Sequence, residues 1–405
     1  MSAAGVAIDS YCLHYHRWTD DEHGARSHGA TADCIRHPSG YRPESVDMLT
    51  WSHIPYDREL PRPIVTSHGE YRRRVGFLVR VETAQCVCGI GDVAPLPGFS
   101  EASADDAMGQ WRSLQSRLAQ LSLPSSIDEL SGIIGHVTAA MPLYASLRFG
   151  IETALADCAA RLSGLPLSQW LDADASLDIE VNALLRSQGV PELVAELQQR
   201  LDQGYSCFKI KVGVGDVADD VQRLRILRDH SSTARLRPDV NAGWNAEQLS
   251  DFCTACSDIG LEFIEQPLPV GEAEPARQIA RECGVRLALD EDVTDTQIGG
   301  QLLQNDLCDV LVLKPMTIGG LTPCLQLAQV ARDHGKQIVL TSSWESDVGV
   351  AATAHLAAAC GDVAAASGLS TAGMMADGLV AEPLRIDHAY IRLPLVPGLG
   401  LELMQ

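Results

Sequence analysis

The sequence contains no apolar run of about 18 residues, the length that a membrane-spanning helix needs. Basic residues are also scarce: 31 Lys and Arg stand against 53 Asp and Glu, which gives a formal net charge of −22. Proteins that bind nucleic acid need clustered basic side chains to contact phosphates, so a nucleic-acid partner is not expected. A membrane partner is not expected either, and the acidic balance is typical of a solvated surface.

A secretory signal pattern is absent as well, although the chain has 12 cysteines. Many of these cysteines fall within predicted strands or helices, where a free thiol behaves as a small buried hydrophobe. A disulfide framework is therefore not expected, and the sequence predicts a reducing, cytoplasmic location. Cys253 and Cys256 have the spacing of a redox motif, but they lie in a predicted helix with no strand before it, so we interpret them as structural.

Sequence patterns divide the chain into three regions. Residues 1–48 are polar and without periodicity, which predicts an irregular extension. Residues 49–165 combine alternating strands with helical stretches and predict an α+β capping domain, completed by residues 378–405 as an edge strand over the barrel mouth. Residues 166–377 alternate eight apolar strands with helices and predict an α/β catalytic domain, a parallel TIM-type barrel.

Five charged residues follow apolar segments of the barrel region: Lys211, Asp239, Glu265, Asp290 and Lys314. Successive members are roughly 25 residues apart, about the length of one strand, one helix and two loops of such a barrel. Active sites of these barrels lie at the C-terminal ends of the strands, so the five side chains are predicted to converge there.

Three of these residues are carboxylates on neighbouring strands. Asp239, Glu265 and Asp290 offer hard oxygen ligands that suit Mg²⁺, with Mn²⁺ as a possible substitute. Such a site leaves coordination positions for the carboxylate of a small-molecule substrate. A cation bound there makes the α-proton of that substrate more acidic.

The two lysines are candidates for removing that proton. A lysine that acts as a base must first lose its own proton, which burial or a neighbouring cation favours. Mg²⁺, Lys209 and Arg237 are the candidates for that cation. A lysine base beside magnesium is one solution used by enzymes that abstract an α-proton.

The five charged residues lie in the motifs KIK, DVN, IEQPL, LDED and LKP. These motifs occur in the order found in the muconate-lactonizing branch of the enolase superfamily, and the chain resembles that branch over roughly residues 50–400. The resemblance implies a modified (βα)7β barrel with an N-terminal capping domain. It also implies Mg²⁺ on the three carboxylates and acid/base roles for the two lysines.

Further segments resemble the o-succinylbenzoate synthase family within that branch. They are VTSHGEYRRRVGFLVRV, GIGDVAPLPGFSE, RPDVN, SSWESDVG and SGLSTAGMMADGL. This resemblance implies dehydration of 2-succinyl-6-hydroxy-2,4-cyclohexadiene-1-carboxylate to 2-succinylbenzoate, a hydro-lyase step towards menaquinone or phylloquinone. In this hypothesis Lys211 removes the α-proton and protonates the departing hydroxyl, while Lys314 stabilises charge as a cation.

The same resemblance implies residues that contact the substrate or support the metal and the lysines. They are Lys209, Arg237, Asn241, Glu291, Ser342, Ser343, Glu345 and Gly368, together with His68 and Arg72 of a capping-domain loop that closes on the substrate. The positions that depart from the family's pattern are Asp92, Asp292, Trp344, Asp347 and Ser370.

Two other functions stay open at this point. Lysines on opposite faces of an α-carbon would also serve a racemase or epimerase, and N-succinylamino acid racemisation is a companion activity in this family. A catalytically inactive relative is the other alternative, against which the intact set of five charged residues argues. The sequence leaves the oligomeric state open.

Overall fold

The structure is a computed structural model that describes residues 49–66, 69–374 and 378–404. The extension predicted over residues 1–48 and the predicted site residue His68 lie outside these ranges. Contacts join the described residues into one compact unit. Within the described part, no helix has the length and apolarity needed to span a membrane.

The capping region begins with an antiparallel sheet in the order β1-β2-β3 and continues with three helices. The strands are β1 (Thr50–Thr66), β2 (Gly69–Glu82) and β3 (Cys88–Val93). The helices are α1 (Ala104–Leu118), α2 (Ile127–Ala140) and α3 (Ala145–Leu162).

Glycines at alternate positions of β3 let this sheet pack closely against α3. A Cβ atom at Gly91 would lie 2.0 Å from the carbonyl oxygen of Gly150, and one at Gly89 would lie 2.1 Å from that of Ala154. Any side chain at either position would therefore separate the strand from the helix. The glycines of the CGIGDV segment are thus a packing requirement of the capping region.

Seven parallel strands form the barrel sheet, in the order β11-β10-β9-β8-β7-β6-β5. The strands from β4 onward are β4 (Asp178–Glu180), β5 (Ala183–Leu185), β6 (Cys207–Lys211), β7 (Arg235–Asp239), β8 (Ile264–Glu265), β9 (Leu287–Leu289), β10 (Val310–Leu313) and β11 (Gln337–Leu340). The helices of this region are α4 (Leu167–Leu171), α5 (Val190–Asp202), α6 (Val217–His230), α7 (Ala246–Ala255), α8 (Ala273–Glu282), α9 (Thr296–Gln304), α10 (Pro315–Ile318), α11 (Leu321–Asp333) and α12 (Asp347–Cys360).

The eighth strand predicted over residues 363–368 is not a regular strand. Isolated parallel bridges hold it, pairing Val181 with Ser367 on one side and Thr341 with Gly368 on the other. Only a small residue fits here, because a Cβ at Gly368 would lie 2.3 Å from Thr341 Oγ1. Small residues have weak strand propensity, so the segment joins the two edges of the sheet without forming a continuous ladder.

The prediction that the C-terminal segment adds an edge strand to the capping sheet is wrong. Strands β12 (Ile386–Asp387) and β13 (Tyr390–Arg392) form a separate sheet in the order β12-β13-β4. Ile391 pairs with Ile179, and both side chains are buried while their neighbours face outward. This shared alternation selects β4 as the partner.

Arg74, on β2, links the capping region to the segment that follows β11. Its side chain is only 1% exposed and donates to the carbonyl oxygens of Ala94 (2.6 Å), Pro95 (2.9 Å) and Trp344 (2.8 Å). Trp344 has a φ of 56°, a left-handed conformation that is strained for a bulky residue. Arg74 therefore holds a strained turn beside the barrel mouth.

Replacing Arg74 with methionine should lower the free energy of unfolding by about 3 kcal/mol or more, because three carbonyl groups lose a charged donor. Arg73→Met is the matched control, since the exposed Arg73 pairs with Asp57 at the surface and its loss should change stability little. Urea unfolding of both variants measures the difference. Equal losses would show that Arg74 has no special structural role.

Candidate active site

The structure brings the five predicted charged residues to one edge of the barrel. Lys211, Asp239 and Glu265 end β6, β7 and β8, while Asp290 and Lys314 directly follow β9 and β10. The ladder pairs Lys211 with Asp239, and Asp239 with Glu265. Because all these strands are parallel, the side chains meet at their C-terminal ends.

Two lysines share one oxygen of Asp239. Lys209 Nζ lies 2.8 Å and Lys211 Nζ 2.5 Å from Asp239 Oδ2. Lys209 also donates to Glu265 Oε1 at 2.7 Å, and Lys211 donates to Asn241 Oδ1. The side chain of Lys211 is 34% exposed and that of Lys209 only 18%, so Lys211 is the more accessible of the two.

Lys314 pairs with the third carboxylate. Its Nζ lies 2.7 Å from Oδ1 and 2.5 Å from Oδ2 of Asp290. Burial alone would lower the pKa of Lys314, but Asp290 and Glu291 outweigh burial and raise it. Asn241 Nδ2 donates to Glu291 Oε1 at 2.9 Å, and the buried Glu291 Oε2 has no partner within the described residues. Lys314 is thus held as a cation in an acidic environment.

The three carboxylates lie close enough to influence one another. Burial raises the pKa of Glu265, and the Asp239 and Asp290 carboxylates raise it further against the lowering effect of Lys209. In the part of the chain that the structure describes, no three His, Cys, Asp or Glu side chains form a ready metal site. The buried concentration of hard oxygen donors nevertheless fits Mg²⁺ in chemical type.

Arg237 lies one layer below this edge. It is 1% exposed and donates to both carboxylate oxygens of Glu262, at 2.7 and 3.2 Å, and to the carbonyl oxygen of Ala366 at 2.7 Å. Its guanidinium also stacks 4.8 Å from the ring centroid of Phe263. These contacts make Arg237 a member of the barrel interior, with its donors directed to Glu262 and Ala366.

The segment after β11 contributes three of the predicted site residues, Ser342, Ser343 and Glu345, and contacts a fourth, Gly368. Ser342 Oγ bonds to Thr371 Oγ1 at 2.5 Å, and Ser342 N donates to the carbonyl oxygen of Gly368 at 3.3 Å. Ser343 N donates to Glu345 Oε2. Burial raises the pKa of Glu345 to about 7, and its Oε1 has no partner among the described residues. The carboxyl group of Glu345 can therefore take up or release a proton near neutral pH.

Arg72 stands apart from these residues. It lies on β2 with a side chain that is 73% exposed, and it pairs with Glu70 on the same strand. Its predicted substrate contact, like that of His68, stays a prediction.

Sequence reasoning missed two residues that support the site. In a run of three arginines, no sequence signal distinguishes the buried Arg74 from its exposed neighbours. Gln266 is part of the IEQPL motif, and its amide bonds to residues at the end of β9. The order of motifs along the chain does not reveal such a bond between strands.

Two sequence families match the chain. The family described as enolase C-terminal domain-like matches residues 192–405, which include all five charged residues. The family described as MenC, N-terminal domain, matches residues 53–158. The first match covers most of the barrel, and the second covers most of the capping region.

Curated enzymes are similar to the chain over most of its length. Muconate cycloisomerase 1 of Rhodococcus opacus is 26% identical over 329 residues, which cover 81% of this chain and 88% of that enzyme. N-succinyl-L-Arg/Lys racemase of Bacillus cereus is 24% identical over 368 residues, which cover 88% and 95% of the two chains.

A solved structure of similar fold is muconate lactonizing enzyme from Pseudomonas fluorescens complexed with muconolactone. It matches with a TM-score of 0.81 and 22% identity, covering 89% of this chain and 98% of that one. The likeness confirms the predicted fold class, a capping domain followed by a modified β/α barrel.

Proposed function

The chain belongs to the enolase superfamily through its barrel domain, and on that premise we propose that it is an o-succinylbenzoate synthase. The proposed reaction removes water from 2-succinyl-6-hydroxy-2,4-cyclohexadiene-1-carboxylate and yields 2-succinylbenzoate. The match of residues 53–158 to the MenC N-terminal domain is the observation that favours this substrate, because it points to the menaquinone route. The curated relatives, at about one quarter identity, agree with the superfamily but not with one substrate.

Lysine usage supports proton-transfer chemistry. Of the 31 basic residues only four are lysines, and three of them, Lys209, Lys211 and Lys314, meet at the C-terminal edge of the barrel. Arginine serves almost everywhere else in the chain. An arginine remains protonated in proteins, whereas a lysine can act as a base when its surroundings favour the neutral amine. The scarce lysines of this chain are therefore concentrated where the proposed reaction needs a base and a fixed cation.

Lys211 removes the α-proton in this proposal. Its Nζ and that of Lys209 both contact Asp239 Oδ2, so Lys211 lies beside the first of the three carboxylates. Lys211 is the more exposed and thus the one that reaches a ligand. The C–H electron pair forms the new double bond, the C–O bond breaks, and Lys211 returns its proton to the departing hydroxyl as water.

Lys314 acts as a fixed cation that faces the charge developing on the substrate. Asp239, Glu265 and Asp290 would hold Mg²⁺, or Mn²⁺ as a substitute, which would supply positive charge beside the substrate carboxylate. Product aromaticity drives the elimination, so the protein needs chiefly to orient the substrate and to move one proton.

Racemisation or epimerisation is the second candidate, because Lys211 and Lys314 come from strands on different sides of the barrel sheet. Relatives named as an N-succinyl-L-Arg/Lys racemase and an L-Ala-D/L-Glu epimerase favour it as an alternative. Both reactions begin with the same proton abstraction and differ in the substrate.

Incubation of the purified protein in D₂O with each substrate separates the two functions. We expect 2-succinylbenzoate to form from the cyclohexadiene carboxylate faster than an N-succinylamino acid is inverted, as followed by ultraviolet absorbance and by NMR. Rapid deuterium uptake with stereoinversion, and no dehydration, would favour the racemase instead.

A further inference from the structure

Gln266 is buried directly after Glu265 and is only 1% exposed. Its φ of 37° lies in the left-handed region, which is unfavourable for glutamine and persists where surrounding contacts impose it. Oε1 accepts from the backbone N–H groups of Asp290 (3.0 Å) and Asp292 (3.3 Å). Nε2 donates to the carbonyl oxygen of Leu268 (3.0 Å) and to Asp292 Oδ2 (2.7 Å). The amide thus uses all of its hydrogen-bonding groups.

Asp292 fixes the orientation of that amide. It is 6% exposed, and its second oxygen, Oδ1, accepts from Gly271 N at 2.7 Å. A carboxylate can accept on both oxygens, so one side faces Gln266 Nε2 and the other faces Gly271. Because Nε2 must face the carboxylate, Oε1 of Gln266 is directed to the end of β9.

The backbone ladder between β8 and β9 is too short to connect Glu265 to Asp290. Its last pair is Glu265 with Ala288, and one further bond joins Gln266 N to the carbonyl oxygen of Ala288 at 2.9 Å. Asp290 lies two residues beyond that pair. The side chain of Gln266 therefore continues the connection between the strands up to the backbone of Asp290.

We propose that Gln266 and Asp292 are positioning residues that hold Glu265 and Asp290 in the relative arrangement needed to bind a divalent cation. Gln266 is covalently joined to the first of these carboxylate residues and hydrogen-bonded to the backbone of the second. The inference rests on the proposed function, which takes both carboxylates as metal ligands. Loss of a residue that orients a metal ligand without touching the metal typically changes metal affinity by 10–100-fold.

The test compares Asp292→Asn with Asp295→Asn in the full-length protein. Asparagine at 292 keeps the shape but places an amide donor against one of two existing donors. Asp295 is the control because it caps α9 by accepting from Ile298 N at 2.8 Å, away from Gln266. Mn²⁺ affinity is measured by electron paramagnetic resonance titration, and thermal unfolding is measured in parallel.

We expect Asp292→Asn to weaken Mn²⁺ binding by about tenfold or more, while Asp295→Asn, which keeps a good capping side chain, retains both its thermal stability and its affinity. Asp292→Ser, which removes both acceptors without adding an amide, carries the same expectation and replaces Asp292→Asn if that variant does not fold. Wild-type affinity in the folded 292 variants, or an equal loss in both 292 and 295 variants, would overturn this inference alone. A wild-type protein that binds no Mn²⁺ would overturn the proposed metal site and this inference with it.

Discussion

Lys211→Arg should lower turnover by about 10³-fold or more while Mg²⁺ binding persists, because general acid–base catalysis typically contributes 10²–10⁴-fold. Arginine keeps a positive charge at the end of β6, so the electrostatics around Asp239 are largely preserved. The guanidinium cannot lose a proton, and the variant therefore removes the base and not the cation. Steady-state kinetics of 2-succinylbenzoate formation measures the loss.

Lys336→Arg is the matched control for this change. Lys336 precedes β11, at the opposite end of the barrel, where its side chain pairs with Asp306 and Asp309. The same chemical substitution there should leave turnover close to that of the wild type. Appreciable turnover by Lys211→Arg, or a similar loss in Lys336→Arg, would contradict the assignment of Lys211 as the base.

The five charged residues could be predicted from sequence because a β/α barrel repeats one unit. Each apolar strand ends at a similar depth, so a charge that follows each strand must arrive at the same edge. Regular spacing along the chain therefore predicts that five side chains lie close together in the fold: Lys211, Asp239, Glu265, Asp290 and Lys314. Their convergence depends only on the parallel order of the strands, which the alternation of strands and helices already predicts.

Pairing between side chains could not be predicted in the same way. Arg237 and Asp239 are two residues apart and point to the same side of β7, yet inward-facing residues of a barrel stack in layers. Asp239 lies at the C-terminal edge of the barrel and pairs with Lys209 and Lys211, whereas Arg237 forms an ion pair with Glu262 one layer lower. Spacing along the chain gives the face of a strand but not the partner on the next strand.

The two errors in the fold concern segments with small side chains or few residues. The predicted eighth strand is rich in alanine and glycine, and its bridges are isolated because Gly368 packs against Thr341. The C-terminal strand has three residues, and its alternation fits more than one sheet edge in sequence terms. The buried pairing of Ile391 with Ile179 decided between those edges.

Metal removal is the second large effect that we expect. Asp239, Glu265 and Asp290 concentrate buried negative charge at the place where the proposed reaction puts the substrate carboxylate, and a divalent cation would offset their repulsion of that group. Protein treated with EDTA should therefore lose turnover almost completely. Excess Mg²⁺ should restore it, and Mn²⁺ should substitute in part.

The most direct measurement is 2-succinylbenzoate formation from 2-succinyl-6-hydroxy-2,4-cyclohexadiene-1-carboxylate by the purified protein, with EDTA and after addition of Mg²⁺. If the protein catalyses a metal-dependent dehydration, 2-succinylbenzoate should form with Mg²⁺ and should not exceed the uncatalysed rate with EDTA. Product formation that continues undiminished in EDTA, or no product in either condition, would contradict it.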